Sequence, residues 1–316
     1  MKRLSLIIAL FFSLRLVYAD STSGFAFLKL PFGSSRMQGL GGNGIALLEG
    51  TDAMRINPAG IGFSQMREIE FSVINWIEDF DGKYISYVKP YGTSVLGIDV
   101  GYFSTDGFEI RDSSGVNINA DDVKFKNMCA SFSVAKSFFM ERFSIGAAAR
   151  YVYEDRYLKK DSGVAYDVGA VLKLGRRIRL GVSRQNISSD NKKIVEIRRW
   201  GGSISLGDHL VLSLDSISFS DSDKKIGFGA EFVIPEEMLQ YGRFVLRTGY
   251  NKSPNYGKNY DDSFLKKLGL DDISGWSFGV GVYSSQILGK AYGIEYSFTP
   301  YGELGKTSQL TLRMQF

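Results

Sequence analysis

One short motif in the sequence has the form of a catalytic nucleophile. Residues 275–279 match G-x-S-x-G, the turn that presents the reactive serine of many hydrolases. Ser277 would need a histidine to accept its proton, but the only histidine, His209, precedes it, whereas hydrolases of that fold place the histidine after the serine. In a β-strand Ser277 would simply share a face with other small or polar residues. The chain is therefore not expected to be an enzyme, and no catalytic residue is predicted.

A second motif resembles a nucleotide-binding loop. Gly39, Gly41 and Gly44 match G-x-G-x-x-G, which cradles a pyrophosphate when it follows the first strand of a βαβ unit. No such strand precedes these glycines, which favours a glycine-rich segment that passes close to the walls of the fold. One histidine and one cysteine, Cys129, cannot form a usual zinc site. No cofactor and no metal are predicted.

Charged residues of both signs recur at positions that alternate with apolar ones. Such alternation places the charges of a strand on the face opposite its apolar side chains. These charges could hold a segment inside a closed sheet through ion pairs, or they could line a path for a solute, and their mixed signs favour the first account. The residues on which this prediction rests are Arg150, Asp167, Glu231, Arg247 and Arg313.

The elements that carry these charges are strands. From Glu68 onward, apolar residues recur at every second position in runs of about nine to thirteen residues, which is the period of a β-strand. The fourteen predicted strands are 68–76, 82–90, 94–103, 126–138, 142–154, 162–174, 177–185, 197–206, 208–218, 225–234, 242–250, 275–284, 289–298 and 308–316.

The two faces of these strands differ in polarity. At the end of the chain, Leu310, Leu312 and Met314 alternate with Thr311 and Arg313. A soluble β-sandwich also shows this alternation, so the lengths of the connections between strands are needed to distinguish the two folds. Counted along the chain, the odd-numbered connections are mostly longer than the even-numbered ones, and the longest lie at about 104–125 and 251–274. Short turns at one rim and long loops at the other are typical of a membrane barrel built as a meander. The predicted fold is an all-β transmembrane antiparallel β-barrel of about 14 strands.

The N-terminus and the composition agree with export. Lys2 and Arg3, an apolar stretch and Val17-Tyr18-Ala19 predict a signal peptide at residues 1–19. Loss of Lys2, Arg3 and Arg15 would lower the net charge from +4 to about +1, so a nucleic-acid partner has no electrostatic support. A mean hydropathy of −0.07 excludes a bundle of membrane helices. The predicted location is the outer membrane, with lipid around the barrel.

A barrel of fourteen strands leaves a bore that must be partly obstructed. About eight strands leave an interior that side chains fill, and sixteen or more leave an aqueous channel. Residues 20–67 precede the first strand and lack long alternation, so they are predicted to form a hatch in the lumen of a barrel at residues 68–316. The hatch residues singled out are Gly41, Gly44, Asn57, Pro58 and Gly60. Two roles are possible for Asn57 and Pro58. They could form a turn or end a helix, since proline disfavours a helical conformation in the residue before it. Alternatively, they could form a hinge of the hatch.

Several of these segments resemble a known family. Phe27-Leu28-Lys29-Leu30, residues 39–46 and Asn57-Pro58-Ala59-Gly60-Ile61, together with residues 246–250, 293–298 and a terminal Phe316, resemble the PorV/PorQ branch of FadL-like outer-membrane proteins. The resemblance spans nearly the whole chain after the signal peptide. It implies a fourteen-stranded barrel with an N-terminal hatch, inserted by the outer-membrane assembly machinery that reads the strand ending at Phe316.

The resemblance leaves two functions open. Members of the family transport fatty acids and other hydrophobic compounds or take part in type IX protein secretion. Transport of a small or hydrophobic solute, gated by the hatch, is the leading prediction. The alternative is an accessory of protein secretion, or a cell-surface binding barrel, in which the long loops would bind secreted proteins.

Overall fold

The computed structural model describes residues 24–77, 80–108, 113–116, 123–156, 159–188, 194–222, 224–239, 242–251, 275–284, 289–301 and 305–316. The predicted signal peptide, nearly all of the predicted loop 251–274 and part of the predicted loop 104–125 lie outside the described residues. Within the described part of the chain, no helix is both long enough and apolar enough to cross a membrane.

Fourteen antiparallel strands form one closed barrel, in which each strand pairs with its neighbours in sequence and β1 pairs with β14. This confirms the predicted fold class. The strands are β1 Glu68–Asn75, β2 Asp81–Tyr91, β3 Ser94–Phe108, β4 Val123–Phe138, β5 Phe143–Arg156, β6 Lys160–Leu174, β7 Ile178–Ile187, β8 Ile197–Leu206, β9 Leu210–Phe219, β10 Lys225–Ile234, β11 Gly242–Asn251, β12 Trp276–Ser284, β13 Ala291–Pro300 and β14 Lys306–Gln315.

The two rims of the barrel carry different connections. One rim, called here the long-loop rim, carries residues 109–122 and 252–275, and the other, the short-turn rim, carries turns such as 92–93, 139–142 and 207–209. The predicted length of the connection between β5 and β6 is wrong. Strand β5 continues to Arg156 and β6 begins at Lys160, so only residues 157–159 lie between them. The added ends of these strands are polar and form ion pairs such as that of Lys160 with Asp155. No recurrence of apolar residues marks them as strand in the sequence.

The outer face of the barrel is apolar and exposed, whereas the inner face is polar and buried. Ile98, Leu214 and Ile294 on the outside are 53%, 59% and 58% exposed, while Asp99 and Glu295 on the inside are 2% and 0% exposed. A closed barrel leaves no unpaired strand edge, so it can lie in hydrocarbon with every strand bonded to its neighbours. An apolar outer band over a polar interior is the surface of an outer-membrane barrel. The protein therefore belongs in the outer membrane.

Residues 24–67, called here the luminal segment, fill the barrel interior. The segment contains 3₁₀ helices at Ala26–Lys29, Gly50–Ala53 and Pro58–Phe63 and a short α-helix, α1, at Ser35–Gly39. Gly24 bridges to Ile194 at the long-loop rim, and Arg67 pairs with Phe316 at the short-turn rim. The segment thus runs through the barrel from one rim to the other. A second short helix, α2 at Glu236–Leu239, lies in the turn between β10 and β11.

Candidate functional site

The inner wall of the barrel is lined with glycines where the luminal segment touches it. A side-chain carbon added at Gly249 would collide with the backbone of Leu40, and one added at Gly146 would collide with the backbone of Pro58. Glycine permits this approach because it has no Cβ. The wall glycines whose missing Cβ faces the segment are Gly97, Gly101, Gly146, Gly169, Gly181, Gly201, Gly227, Gly229, Gly249 and Gly279.

Gly41 and Gly44 shape the turns of the segment after α1. Their φ angles are +69° and +114°, which few residues with a side chain adopt. The backbone N–H groups of Gly44 and Ile45 donate hydrogen bonds to the same Asp215 oxygen at 2.6 and 2.9 Å. This glycine-rich turn therefore binds a carboxylate of the barrel wall with the groups that a nucleotide-binding loop would use for phosphate.

Asn57, Pro58 and Gly60 form the start of the last 3₁₀ helix. Asn57 is its N-cap, since the side chain accepts a hydrogen bond from Ala59 N at 3.1 Å and Pro58 occupies the first helical position. The same side chain donates to the carbonyls of Ile45 and Ala170 at 3.1 and 3.3 Å. Asn57 itself is extended, with φ −152° and ψ 103°, as expected of a residue before proline, so it separates the preceding turn from the helix that follows and ties this point to the wall; a hinge here stays a prediction. Gly60 packs against Ala53 and the carbonyl of Leu48.

Glu231 and Arg247 belong to an ion-pair network that reaches α1. The Arg36 guanidinium donates to both carboxylate oxygens of Glu231 at 2.7 and 2.9 Å. Arg247 donates to Glu231 at 3.3 Å and to Glu295 at 2.9 Å. These groups are almost wholly buried, apart from Arg36, whose side chain is 19% exposed. A paired, bidentate arrangement of this kind offsets the cost of burying the charges.

Arg313 ties the segment to the strands that close the barrel. Its guanidinium pairs with Asp52 of the segment at 2.5 Å and with Glu70 of β1 at 2.7 Å. Burial alone would raise the pKa of Asp52, but Arg313 and Arg36 outweigh it and lower the pKa to about 2. Thr51 donates from its backbone N–H and its hydroxyl to Glu68, which joins the same group.

Arg150 and Asp167 form a separate pair within the barrel wall. Their side chains lie 2.7 Å apart and are 2% and 0% exposed. Arg150 also donates to Asn186 at 2.8 Å and to Ser131 at 3.1 Å, and Asp167 accepts from the backbone N–H of Asn186 at 2.7 Å. The pair stabilises an irregularity between β6 and β7, where Asn186 has a φ of 58°. Among the predicted lumen residues, Glu231 and Arg313 contact the segment directly, whereas Arg150 and Asp167 bond to other strands.

Ser277 and His209 lie at opposite rims of the barrel. Ser277 is buried near the long-loop rim, where its hydroxyl shares a hydrogen bond of 2.8 Å with Thr299. His209 lies in the β8–β9 turn at the short-turn rim, and its ring contacts the carbonyl of Val233. The structure does not bring the two together. Within the described residues no cluster of acidic, histidine and cysteine side chains could hold a metal ion.

A cavity of about 350 Å³ opens at the long-loop rim. Its floor is the luminal segment at Pro31, Gly41 and Gly42. Its walls combine aromatic and aliphatic side chains with three basic ones. The apolar lining residues are Leu30 of the segment and Trp76, Ile77, Ile217, Phe219 and Tyr301 of the barrel, and the basic ones are Lys29 of the segment and Arg199 and Lys225 of the barrel.

A second cavity of about 450 Å³ opens at the short-turn rim and has a more polar lining that includes Glu237, Arg243, Tyr283, Tyr292 and Arg313. Helix α1 lies between the two cavities. It packs against Gly279 of β12, whereas Ser277 of the same strand lines the first cavity and Tyr283 lines the second.

Several of the residues that hold the segment were not singled out from the sequence. Arg36 and Asp52 lie in a segment without strand periodicity, so nothing in the sequence indicated which wall charges they meet. The wall glycines did leave a signal, because they occupy the same alternating positions as the inward charges. Gly97 and Gly101, for example, share the face of Asp99. Glycines on the inward face of the strands therefore predict that another part of the chain passes close to the wall.

Comparison with solved structures identifies the fold, whereas comparison of sequences identifies no family. No family model matches the chain, and no curated protein is similar to it in sequence. The toluene transporter TbuX of Ralstonia pickettii is 14% identical, with a TM-score of 0.61 over 91% of this chain and 98% of that one. The toluene transporter TodX of Pseudomonas putida is 10% identical, with a TM-score of 0.59 over 94% and 98%. A FadL homologue of Pseudomonas aeruginosa is 10% identical, with a TM-score of 0.55 over 91% and 98%. The chain therefore shares the barrel fold of these FadL-type proteins along nearly its whole length.

Proposed function

We propose that this protein is an outer-membrane channel for small hydrophobic solutes and that the luminal segment is its hatch. The observation that carries the proposal is the cavity at the long-loop rim, whose walls are largely apolar and whose floor is the segment itself. Long loops lie outside the cell and short turns in the periplasm. A solute from outside would therefore enter this cavity and meet the hatch before it could reach the second cavity.

The chemistry of the first cavity suits an apolar solute. Trp76, Phe219 and Tyr301 offer ring faces, and Ile217 and Leu30 add aliphatic surface. Binding sites for small apolar molecules are concave, mostly apolar and supplied with a few polar groups. The structural neighbours TbuX and TodX are named as toluene transporters, which supports a solute of this class.

Helix α1 is the barrier in this proposal. It separates the cavities along β12 and is held in place by Arg36, Ser35 and Gln38. Ser35 N and Gln38 Nε2 donate to Thr311 and Thr307 of β14 at 2.8 and 2.7 Å. Because the wall partners of α1 lie on the strands β10, β13 and β14, at one side of the barrel, displacement of α1 would join the cavities without unfolding the strands.

The test is the conductance of the purified mature protein in planar bilayers, compared with a version that lacks residues 20–60. We expect the deletion to raise the conductance severalfold, since it removes the floor of the first cavity. Heat-modifiable migration in gels would verify that the shortened barrel still folds. An unchanged conductance from a folded shortened barrel would contradict a hatched channel.

The choice of solute needs its own experiment. We expect Trp76→Ala to slow the uptake of toluene into proteoliposomes, because it removes a ring from the entry cavity. Trp200, which lies on the outer face, provides the matched control as Trp200→Ala. Equal uptake by both variants and the unchanged protein would argue against the apolar solute class.

Membership of the PorV/PorQ branch and a role in protein secretion remain predictions. The loops that would bind secreted proteins lie mostly outside the described residues. Insertion by the assembly machinery through the strand ending at Phe316 also remains a prediction. Co-purification of secreted proteins with the barrel would favour the secretion role over transport.

A further inference from the structure

The turn between β4 and β5 has an unusual backbone. Phe139, Met140 and Glu141 have φ angles of 55°, 53° and 62° in succession. For a residue with a side chain, the left-handed region costs roughly 1–2 kcal/mol. Four other turns of the short-turn rim avoid this cost by placing glycine at such angles, namely Gly92, Gly175, Gly207 and Gly289. The β4–β5 turn thus keeps its side chains in a conformation that glycine would adopt more easily.

Two of the side chains that this turn retains are apolar and exposed. Phe139 is 77% exposed and Met140 is 98% exposed. They directly follow Phe138, which lies on the outward face of β4 with its ring centroid 6.2 Å from that of Phe143 on β5. The apolar outer wall therefore continues past the end of the strands at this point of the rim.

Two lysines flank the same place. Lys89 Nζ lies 4.6 Å from the ring centroid of Tyr91, and Lys136 Nζ lies 5.7 Å from that of Phe138. Within the described part of the chain, neither lysine has an acidic partner. Tyr91 and Lys136 are both in register with Ser94 of β3, so the small side chain of Ser94 lies between them.

The acidic side chain of the same turn, Glu141, has a partner of its own. Glu141 accepts a hydrogen bond from Gln65 Nε2 at 2.6 Å, so its carboxylate is directed to the end of the luminal segment. The set formed by Lys89, Tyr91, Lys136, Phe138, Phe139 and Met140, called here the basic aromatic patch, is therefore cationic as well as apolar.

We infer that the basic aromatic patch binds the phosphate headgroup of an anionic phospholipid at the periplasmic surface of the outer membrane. Aromatic side chains favour the depth of the lipid headgroups, and lysines near a membrane surface attract anionic lipids. The patch is continuous with the lipid-facing wall, since Ile145 opposite Lys136 is exposed on the same face. This continuity favours a lipid over a soluble protein as the occupant. The inference rests on the membrane placement and orientation in the proposed function, but not on transport.

The test is the retention of phosphatidylglycerol by the mature protein. The protein would be reconstituted in nanodiscs of phosphatidylcholine mixed with phosphatidylglycerol, and bound lipid would be counted by native mass spectrometry. We expect the double variant Lys89→Gln/Lys136→Gln to bind phosphatidylglycerol about 30-fold more weakly, since each lysine near an anionic surface contributes about 1 kcal/mol. The double variant Lys89→Arg/Lys136→Arg is expected to retain the lipid.

A matched control removes the same charge elsewhere. Lys159 and Lys160 at the long-loop rim already pair with Asp161 and Asp155 at 3.3 and 3.4 Å, so Lys159→Gln/Lys160→Gln should leave retention unchanged. Equal loss of lipid in this control would overturn the inference, and so would full retention in Lys89→Gln/Lys136→Gln. The measurement of lipid retention does not depend on channel activity, so a barrel that proved inactive as a channel would still test this inference.

The turn itself provides a second measurement. Met140→Gly removes backbone strain, so it should raise the urea midpoint of unfolding in phosphatidylcholine vesicles. If the side chain contacts lipid headgroups, the same variant should lose part of the stabilisation that added phosphatidylglycerol gives the unchanged protein. An equal gain of stability in both lipids would show that Met140 has no role at the membrane surface.

Discussion

The glycines of the inner wall decide how closely the luminal segment can approach the barrel. At Gly249, Gly146 and Gly181 the backbone of the segment occupies the space that a side chain would fill. Close packing of this kind tolerates little added volume. At the residue scale, the absence of side chains therefore matters as much as the charges that bridge the wall and the segment.

We expect Gly249→Ala to destabilise the protein by about 1–3 kcal/mol, because its methyl group would meet the backbone of Leu40 and Gly41. Urea unfolding in vesicles would measure the effect. Gly202→Ala is the matched control: its nearest atoms are the Arg179 carbonyl and the Leu180 side chain, and none belongs to the segment. We expect it to change stability by less than about 1 kcal/mol. Equal effects would contradict close packing at Gly249.

Asp52 should make docking of the segment sensitive to acid. Its pKa is lowered from 3.8 to about 2 in the docked state. A carboxylate with a lowered pKa stabilises the docked state above its ordinary pKa, and this contribution is lost as the pH falls through the docked value. The contribution of Asp52 should therefore make the conductance in planar bilayers rise as the pH falls below about 4.

Asp52→Asn serves as the control for this acid response. It removes the ionisable group, so the variant should show a higher conductance at neutral pH and a flatter response to acid. If Asp52→Asn kept the full acid response, another group would be responsible for it.

At the scale of the elements, α1 is the part of the segment best placed to move. It is a single short helix, Ser35–Gly39, with Ser34 as its N-cap. It packs against β11 to β14, but it lies between the two cavities and keeps Arg36 partly exposed, whereas every residue of the 3₁₀ helix Pro58–Phe63 is buried. We therefore expect opening at α1 while the later part of the segment stays in place.

We expect Arg36→Gln to release α1. The change removes the paired hydrogen bonds to Glu231 and the contact with Asp52, and loss of one partner of a buried ion pair costs about 3 kcal/mol. Single-channel recording should show more frequent opening. Lys29→Gln is the control, because Lys29 also pairs with a carboxylate, Asp221 at 2.7 Å, but lies outside α1. Equal opening in both variants would contradict a specific role for α1.

At the scale of the whole molecule, closure of the sheet separates two environments. The strand pairing of β1 with β14 leaves no edge strand, so every strand face is either lipid-facing or luminal. Along β3, the exposed Ile98 and the buried Asp99 are adjacent in sequence and lie on opposite sides of the wall. A single substitution can therefore test which solvent each side meets.

We expect Ile98→Arg to destabilise the barrel by about 2–4 kcal/mol in bilayers, because it places a charge near the middle of the hydrocarbon. Urea unfolding in vesicles would measure the loss. Ser104→Arg lies on the same face nearer the long-loop rim and should cost only about 0–1 kcal/mol. A neutral effect of Ile98→Arg would contradict a lipid-facing wall.

The strands and their faces could be predicted because alternation is a local property. A residue such as Arg247 shows its face through its neighbours Leu246 and Thr248, with no knowledge of the partner strand. The predicted boundaries failed where polar residues continue the alternation, as at the ends of β5 and β6. The irregularity at Asn186 was also missed, because it depends on Arg150 and Asp167 from other strands.

The sequence by itself therefore determined an exported, all-β chain with one apolar and one polar face on each strand. Only the tertiary structure decided that Arg36 meets Glu231 and that Asp52 meets Arg313, pairs that are separated by 195 and 261 residues along the chain. The luminal segment has no periodicity of its own, so its path is set by contacts with strands that lie far from it in sequence. A local pattern can give the direction of a side chain, but only the closed barrel gives it a partner.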